Sequence, residues 1–514
     1  MDTSRTQTAR RARDPLLAKT LVTAAALVTT LLSVSVADAA TLRLAYDSAV
    51  GTAASLDPIS PNRYYLANEL VYSRLVMPDA AGKPAPDLAT SWSASPDLKA
   101  WTFKLRDGVK FHDGSDLTAD DVVYSLLRTK SSVLKSPLGS VLSIIDTVTA
   151  DDPHTVTVKL TSAFADLPLL LMDYRARILS AKAEKGNLDA VNDTGIGTGP
   201  FTVGKYDPQG TTVFKAFDGY FGGKPKLDEV DVFDIADQQA QVQAMLSGQI
   251  DYVQTIDQQQ SKLFADAGKF KVFSVPTGGW QAIVMMLNAA PFTDVRVAKA
   301  LRMAVDRQAM LNLLVGKDGG TVSCDNPVWA GDPYYAPASC PQDIAGAKQL
   351  LAQAGHPDGI DVELFTSDLN NLWIKMAQIY QQQVAPAGIR VKITQVPSAD
   401  YNNYYWMHKP LTQTAWGQRP ADQILNEAYQ SSATWNESAF KNKQFDDLLA
   451  KARATADFDA RKAIYGQLQQ MLWDQGGTFI PFHTNQISVV STKVTGLPEA
   501  SLETVHWNEV ALAN

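Results

Sequence analysis

The sequence predicts an exported α/β protein of two or three lobes. Three observations carry that prediction. The chain has 514 residues, long for one domain at about 100–200 residues per domain. Segments with period-two alternation interleave with amphipathic helical segments in no regular order. Ahead of them stands an apolar run with the build of a cleaved leader.

Residues 1–39 read as a secretory signal peptide. Arg5, Arg10, Arg11, Arg13 and Lys19 precede "LVTAAALVTTLLSVSV", an uncharged run from Leu21 to Val36. That run is short for a membrane span. "ADA" at Ala37–Ala39 offers small residues at the positions a signal peptidase reads, so cleavage is expected after Ala39. The paired arginines in "ARRARDPLLAK" leave a twin-arginine route open beside the general one. No cysteine stands at the cleavage site, so no lipid anchor is expected there. Removing the five basic and three acidic groups of residues 1–39 from 46 Lys+Arg and 54 Asp+Glu leaves 41 against 51, a net charge of −10. An acidic chain without a basic block is a poor partner for nucleic acid or an anionic membrane.

"TLRLAYD" opens the mature chain with Leu42 and Leu44 against Arg43, a half-buried strand. "WTFKLRDG" and "HTVTVKL" alternate in the same way. The glutamine-rich stretch from Gln238 to Gln260 is interleaved with Val242, Met245, Ile250 and Val253 and reads as a helix and a strand. "DVRVAKALRMAVDRQAMLNLL" begins at Asp294 as an N-cap and repeats Val297, Leu301, Ala304 and Val305 on one face. "DIAGAKQLLAQAGHP" runs from an Asp343 cap to Gly355, with Pro357 just past it. "QFDDLLAKARATADFDARKAIYGQLQQMLWDQ" holds two helical runs. Trp92, Trp101 and Trp473 are assigned to core.

The two cysteines, Cys324 and Cys340, both lie in the exported part. A disulfide is the natural reading in an oxidising compartment, worth about 3 kcal/mol in the chain-entropy model. Two free thiols or a metal pair are the alternatives.

Catalytic signatures are missing. The chain has no G-x-S-x-G elbow, no phosphate-binding G-x-x-x-x-G-K-[ST] loop, no H-E-x-x-H and no C-x-x-C. "GIGTGPF" reads as a tight turn into a strand. The six histidines are scattered, with no metal-ligand spacing on one helix. The stretch "VKFHDGSDLTADDVVYSL", Val109–Leu126, concentrates His112, Asp113, Asp116, Asp120 and Asp121 and raises the question of a reaction centre. Local structure explains it better. Thr118 with Asp121 three residues on makes a capping box, Asp120 and Asp121 suit a helix N-terminus, and "HDG" is a turn. Val122, Val123, Leu126 and Leu127 would be the buried stripe. No catalytic residue, metal or cofactor is expected.

The segment "LVMPDAAGKPAPDLATSWSASPDLKAWTFKLRDGVKFHDGSDLTADDVVYSLLR" resembles the signature region of extracellular solute-binding protein family 5. These are the dipeptide-, oligopeptide- and nickel-binding proteins of ABC importers. "SLDP" at Ser55, "GTGPF" at Gly197, "GYFGGKPKLDEV" at Gly219, "SGQIDYV" at Ser247, "LNAAPFTDVRVAKALRMAVDR" at Leu287 and "AKQLLAQAG" at Ala347 follow in the family's order. The resemblance implies a bilobal type II periplasmic binding protein fold, cluster C-like, with an extra subdomain in lobe I. Lobe I would comprise residues 40–72, the extra subdomain 73–194, residues 195–286 and a return over 487–514. Lobe II would be residues 287–486. Two crossing strands would act as the hinge, and the closed state would be read by the permease subunits in the inner membrane. A periplasmic monomer is expected.

In the dipeptide-binding members an aspartate a few residues after a tryptophan anchors the ligand's ammonium. In "TAWGQRPADQIL", counting from Trp416, that position holds Arg419, with Asp422 three residues further. The arginine that anchors the ligand carboxylate also lacks a counterpart, its position falling near Ser367. Arg419 suits a carboxylate or phosphate on the ligand, or a protein carboxylate such as Asp422 or Asp47. Tyr46, Asp47, Trp280, Trp435 and Asn436 are further pocket candidates; Tyr404, Tyr405 and Trp406 suit pocket or core. The expected ligand is a peptide or peptide-like solute, an acidic, opine-like conjugate fitting the exchanged charges better than a plain dipeptide. An oligosaccharide stacked on Trp280 and Trp416 is the alternative.

Overall fold

A computed structural model describes residues 39–514 apart from 47–53, 61–64, 80–81, 132–135, 185–186, 188–189, 266–267, 498–501 and 514. The expected signal peptide, all but Ala39, and Asp47 lie outside the described residues.

The molecule is organised by one long strand that belongs to two halves. Phe270–Met285 pairs over its first part, Phe270–Pro276, with Asn485–Ser491 of the strand Phe482–Ser491. After a bulge Trp280 faces His483, and on its other edge Trp280–Met285 pairs with Leu411–Trp416. The shared strand thereby joins two sets of strands into one ten-stranded mixed sheet. Beyond Phe482–Ser491 the order is Tyr252–Val253, Thr41–Tyr46, Glu229–Asp234, Thr211–Ala216 and Phe201–Lys205. Thr41–Tyr46 lies parallel to Glu229–Asp234 on one edge and to Tyr252–Val253 on the other, and its Leu42 and Leu44 are buried.

The bulge has a defined chemistry. Thr277 Oγ1 donates to Thr484 O (2.8 Å) and Thr484 Oγ1 to Gly279 O (3.2 Å). Gly278 N donates to Gln418 Oε1 (3.2 Å), and a Cβ at Gly278 would stand 2.7 Å from that glutamine's Cγ.

Each half has its own core. Leu42, Leu44, Phe201, Val230, Trp507 and Val510 pack together, so the end of the chain returns to the core its first strand opens. Leu301, Met310, Leu364, Tyr380 and Ile389 form a second, beside the parallel pair Ile360–Ser367 and Ile389–Val396. A third core, built on Phe103, Phe111, Val122, Leu126 and Val158, underlies a four-stranded antiparallel sheet. That sheet runs in the order Ala89–Ala94, Ala100–Leu105, Thr155–Leu160, Ile145–Asp152.

The polar stretch at Val109–Leu126 is a turn and a capped helix on that third core. The Asp121 carboxylate accepts from Thr118 N (2.9 Å) and Thr118 Oγ1 (3.1 Å), opening the helix Ala119–Arg128. Asp121 also accepts from Ala181 N (3.0 Å), tying the helix to a later segment. Asp113 accepts from Ser115 N and Gly114 takes φ of 80°. His112 packs edge-on against Phe217 and bonds Gly199 O at 3.0 Å through Nε2. One expectation is corrected here. The buried stripe is Ala119, Val122, Ser125 and Leu126, while Val123 is half-buried and Leu127 is 40% exposed. The helix turns toward Asp121 and Arg128, whose buried charges are bonded, rather than toward the second valine and leucine.

A second difference concerns Asp294. It caps a helix as expected, accepting from Arg296 N (2.9 Å), but that helix ends at Met303. Asp306 starts a new one, Arg307–Leu314, by accepting from Ala309 N (2.9 Å). The apolar period continues across the break because Ala304 and Val305 stay buried. The helix Ile344–Gln353 is capped by Asp343, and Lys443–Arg453 and Phe458–Gln475 are the two helical runs anticipated.

Cys324 and Cys340 form a disulfide with Cα atoms 5.4 Å apart. Beside it Arg302 and Arg307 converge on buried Asp325 at 3.1 and 2.8 Å.

Candidate functional site

Where Leu411–Trp416 leaves the large sheet, its last residues line a cavity of about 420 Å³. Trp373, Trp406, Trp416 and Trp435 supply indoles, and Arg419 and Glu437 supply charges. The position follows from the register. Trp416 is paired with Trp280, at the point where the long strand changes partners.

Trp280 itself is 2% exposed and stacks on Trp416, ring centroids 6.0 Å apart. It supports the cavity from behind and offers no free face. Trp416 donates its Nε1–H to Glu437 Oε1 (2.7 Å), and Trp435 meets Trp416 edge-on at 5.8 Å. Trp373 is fixed by donating Nε1–H to Gln281 Oε1 (2.9 Å) on the long strand.

Arg419 lines this cavity. Its Nη1 donates to Gln418 O (2.8 Å), and its Nε stands 3.7 Å from Glu427 Oε2, too far for a hydrogen bond. Among the described residues the carboxylate paired with Arg419 is therefore Glu427. Asp422 is engaged elsewhere: Arg453 grips both its oxygens at 2.8 Å and Tyr465 OH donates to it at 2.9 Å.

Asp422, Arg453 and Glu427 line a second cavity of about 560 Å³. Its other wall comes from Val141, Phe164 and Leu170 on the third core. Trp435, 43% exposed, borders both cavities. The wall is held across by Asp166, which accepts from Tyr334 OH (2.8 Å) and Arg461 Nη2 (3.0 Å). Burial pushes the Asp166 carboxyl up to about 6 against the pull of Arg461.

Asn436 braces its own turn, donating to Phe440 O (2.6 Å) and accepting from Phe440 N (3.0 Å). Tyr46 ends the first strand and lines neither cavity. Tyr404 is exposed, Tyr405 packs on Phe365, and Trp406 lines the first cavity.

Sequence reasoning missed Glu437, Trp373 and Trp406. Glu437 is 5% exposed, and its hydrogen bonds from Trp416 and from Thr414 Oγ1 (3.0 Å) fall on Oε1. Burial pushes its carboxyl up to about 7, with Trp416, Thr414 and Trp406 opposing. A carboxylate directly after two residues already singled out, Trp435 and Asn436, was the available signal.

Comparison with known proteins agrees with this architecture. Residues 83–437 match the profile of the bacterial extracellular solute-binding proteins, family 5 Middle. The glutathione-binding protein GsiB of Escherichia coli (strain K12) is 28% identical over 426 residues, 80% of this chain and 82% of that protein. The structure of HbpA2 from Haemophilus parasuis superposes with a TM-score of 0.82 at 23% identity, over 92% of this chain and 100% of that one. The binding protein AgaA from A. tumefaciens R10, solved in complex with agropinic acid, gives a TM-score of 0.75 at 26% identity, over 92% and 99%. The fold is therefore that of the bilobal type II binding proteins, and the relatives are binding proteins rather than enzymes.

Proposed function

Because the chain belongs to family 5 of the bacterial extracellular solute-binding proteins, we propose that it is the periplasmic receptor of an ABC importer for a peptide or peptide-like solute, an acidic, opine-like conjugate included. It would be exported by its signal peptide, capture the solute between its lobes and present it to the permease. One observation carries the choice of ligand. Arg419 lines the indole-walled cavity, and its pairing with Glu427 at 3.7 Å is too long for a hydrogen bond, so the guanidinium retains donors for a carboxylate on the solute. That relatives include a glutathione-binding protein and one solved with agropinic acid supports an acidic peptide-like solute. The oligosaccharide alternative is weakened because Trp280 lies covered by Trp416.

Native mass spectrometry of the protein as isolated would weigh any co-purified solute. A thermal-shift series over glutathione, agropinic acid, a plain dipeptide and an oligosaccharide follows, since a solute that binds only the folded state raises the melting temperature. The acidic solutes should shift it most, and Arg419→Ala should weaken them at least about tenfold. Unchanged affinity in that variant removes the anchor role; a shift by the oligosaccharide alone replaces the peptide reading.

A further inference from the structure

Glu437 is a buried carboxylate without a counter-ion among the described residues. It is the one carboxylate lining the first cavity among the described residues, and no lysine, arginine or histidine is among the groups acting on it. The contrast with its neighbours is sharp. Asp422 is neutralised by Arg453, and Glu427 faces both Arg419 and Arg175. The titratable groups that feel the charge of Glu437 are Tyr401 and Tyr429, both kept neutral by burial. Holding an unpaired carboxylate out of water is unfavourable, and such a group is retained where a partner arrives from outside.

What surrounds it indicates the partner's sign and shape. Trp416 bonds one carboxylate oxygen and presents its edge-on neighbour Trp435; Trp373 and Trp406 complete the wall. The hydrogen bonds from Trp416 and Thr414 both fall on Oε1, with Trp406 a further donor facing the carboxylate, so all its protein donors are neutral. Indole faces attract cations within about 6 Å, and a cluster of them excludes the water that would screen the carboxylate.

We infer that Glu437 with Trp373, Trp406, Trp416 and Trp435 forms a subsite for a compact organic cation, an ammonium or methylated ammonium group carried by the solute. The inference rests on the cavity being the solute site and specifies it further. With Arg419 on the same cavity, the solute is a zwitterion whose acidic group meets the guanidinium and whose cationic group meets the indoles. Since the empty carboxyl is pushed up to about 7, cation binding at neutral pH expels a proton.

The test uses choline and its uncharged isostere 3,3-dimethylbutan-1-ol as probes, read by intrinsic tryptophan fluorescence. Choline should quench saturably and bind at least about tenfold tighter than the isostere. Its affinity should rise close to tenfold between about pH 6 and about pH 8, as the carboxyl ionises. Glu437→Gln should lose both the preference and the pH dependence. Trp435→Leu, at an exposed position, should lose the preference and serves if the Gln variant fails to fold. Equal affinity for the two probes, choline binding unaltered in both variants, or no saturable choline binding at all overturns the inference. Failure of the solute reading looks different: then choline behaves as expected while none of the peptide-like solutes shifts the melting temperature.

Discussion

The turn and helix at Val109–Arg128 and the cavity around Trp416–Glu437 treat polar side chains in opposite ways. The first is dense in charge, and its buried charges are spent inside the fold: Asp121 on Thr118 and Ala181, Arg128 on Asp57. The second holds few charges: Arg419 has only a loose pairing with Glu427 at 3.7 Å, and Glu437 has no counter-ion among the described residues. A crowd of aspartates marks architecture when each has a local donor. A single carboxylate marks a site when its donors run out.

The largest effect that would test this contrast is at Asp422, a cavity-lining carboxylate of the spent kind. Asp422→Ala strands Arg453 and should cost about 3–5 kcal/mol in urea denaturation. Stability close to the parent's, with solute affinity lost, would move Asp422 to the other class. Glu437→Gln should do the reverse. The parent's carboxyl titrates at about 7 when folded and at 4.5 when unfolded, so the unfolded chain gives up its proton first as pH rises. The parent therefore loses stability from about pH 4.5 up to about pH 7, by about 3 kcal/mol in total. The Gln variant lacks that loss, and its advantage over the parent should appear across this window and level off above it. A flat difference from pH 4 to pH 8 would mean the carboxylate has a partner. The smallest effect belongs to the turn. Asp121→Ala should cost about 1–2 kcal/mol through the lost cap and leave solute affinity unchanged.

Much of the fold was readable because it is locally encoded. Alternation located Thr41–Tyr46, Ala100–Leu105 and Thr155–Leu160, and aspartate caps located the helices after Asp294 and Asp343. The break between Met303 and Arg307 was not readable, since burial of Ala304 and Val305 preserves the period through it. In the cavity, Trp416, Arg419 and Trp435 were reached from matched positions and do line it. Trp280, Asp422 and Asn436 were reached in the same way, and their side chains serve protein partners. Glu437, Trp373 and Trp406 come from separate segments and meet only in the folded chain. An absent counter-ion is a fact about three-dimensional neighbours, which no spacing rule records.

The strand Phe270–Met285 has a mechanical consequence. Its two ends are held in different hydrogen-bonded ladders, with Gly278 and Gly279 at the bulge between them, so a rotation of one ladder against the other would fall there as torsion. The next residue is Trp280, whose ring lies against Trp416, which holds Glu437. A twist of this strand would reach the indole beneath the cavity, and a solute filling the cavity would resist it.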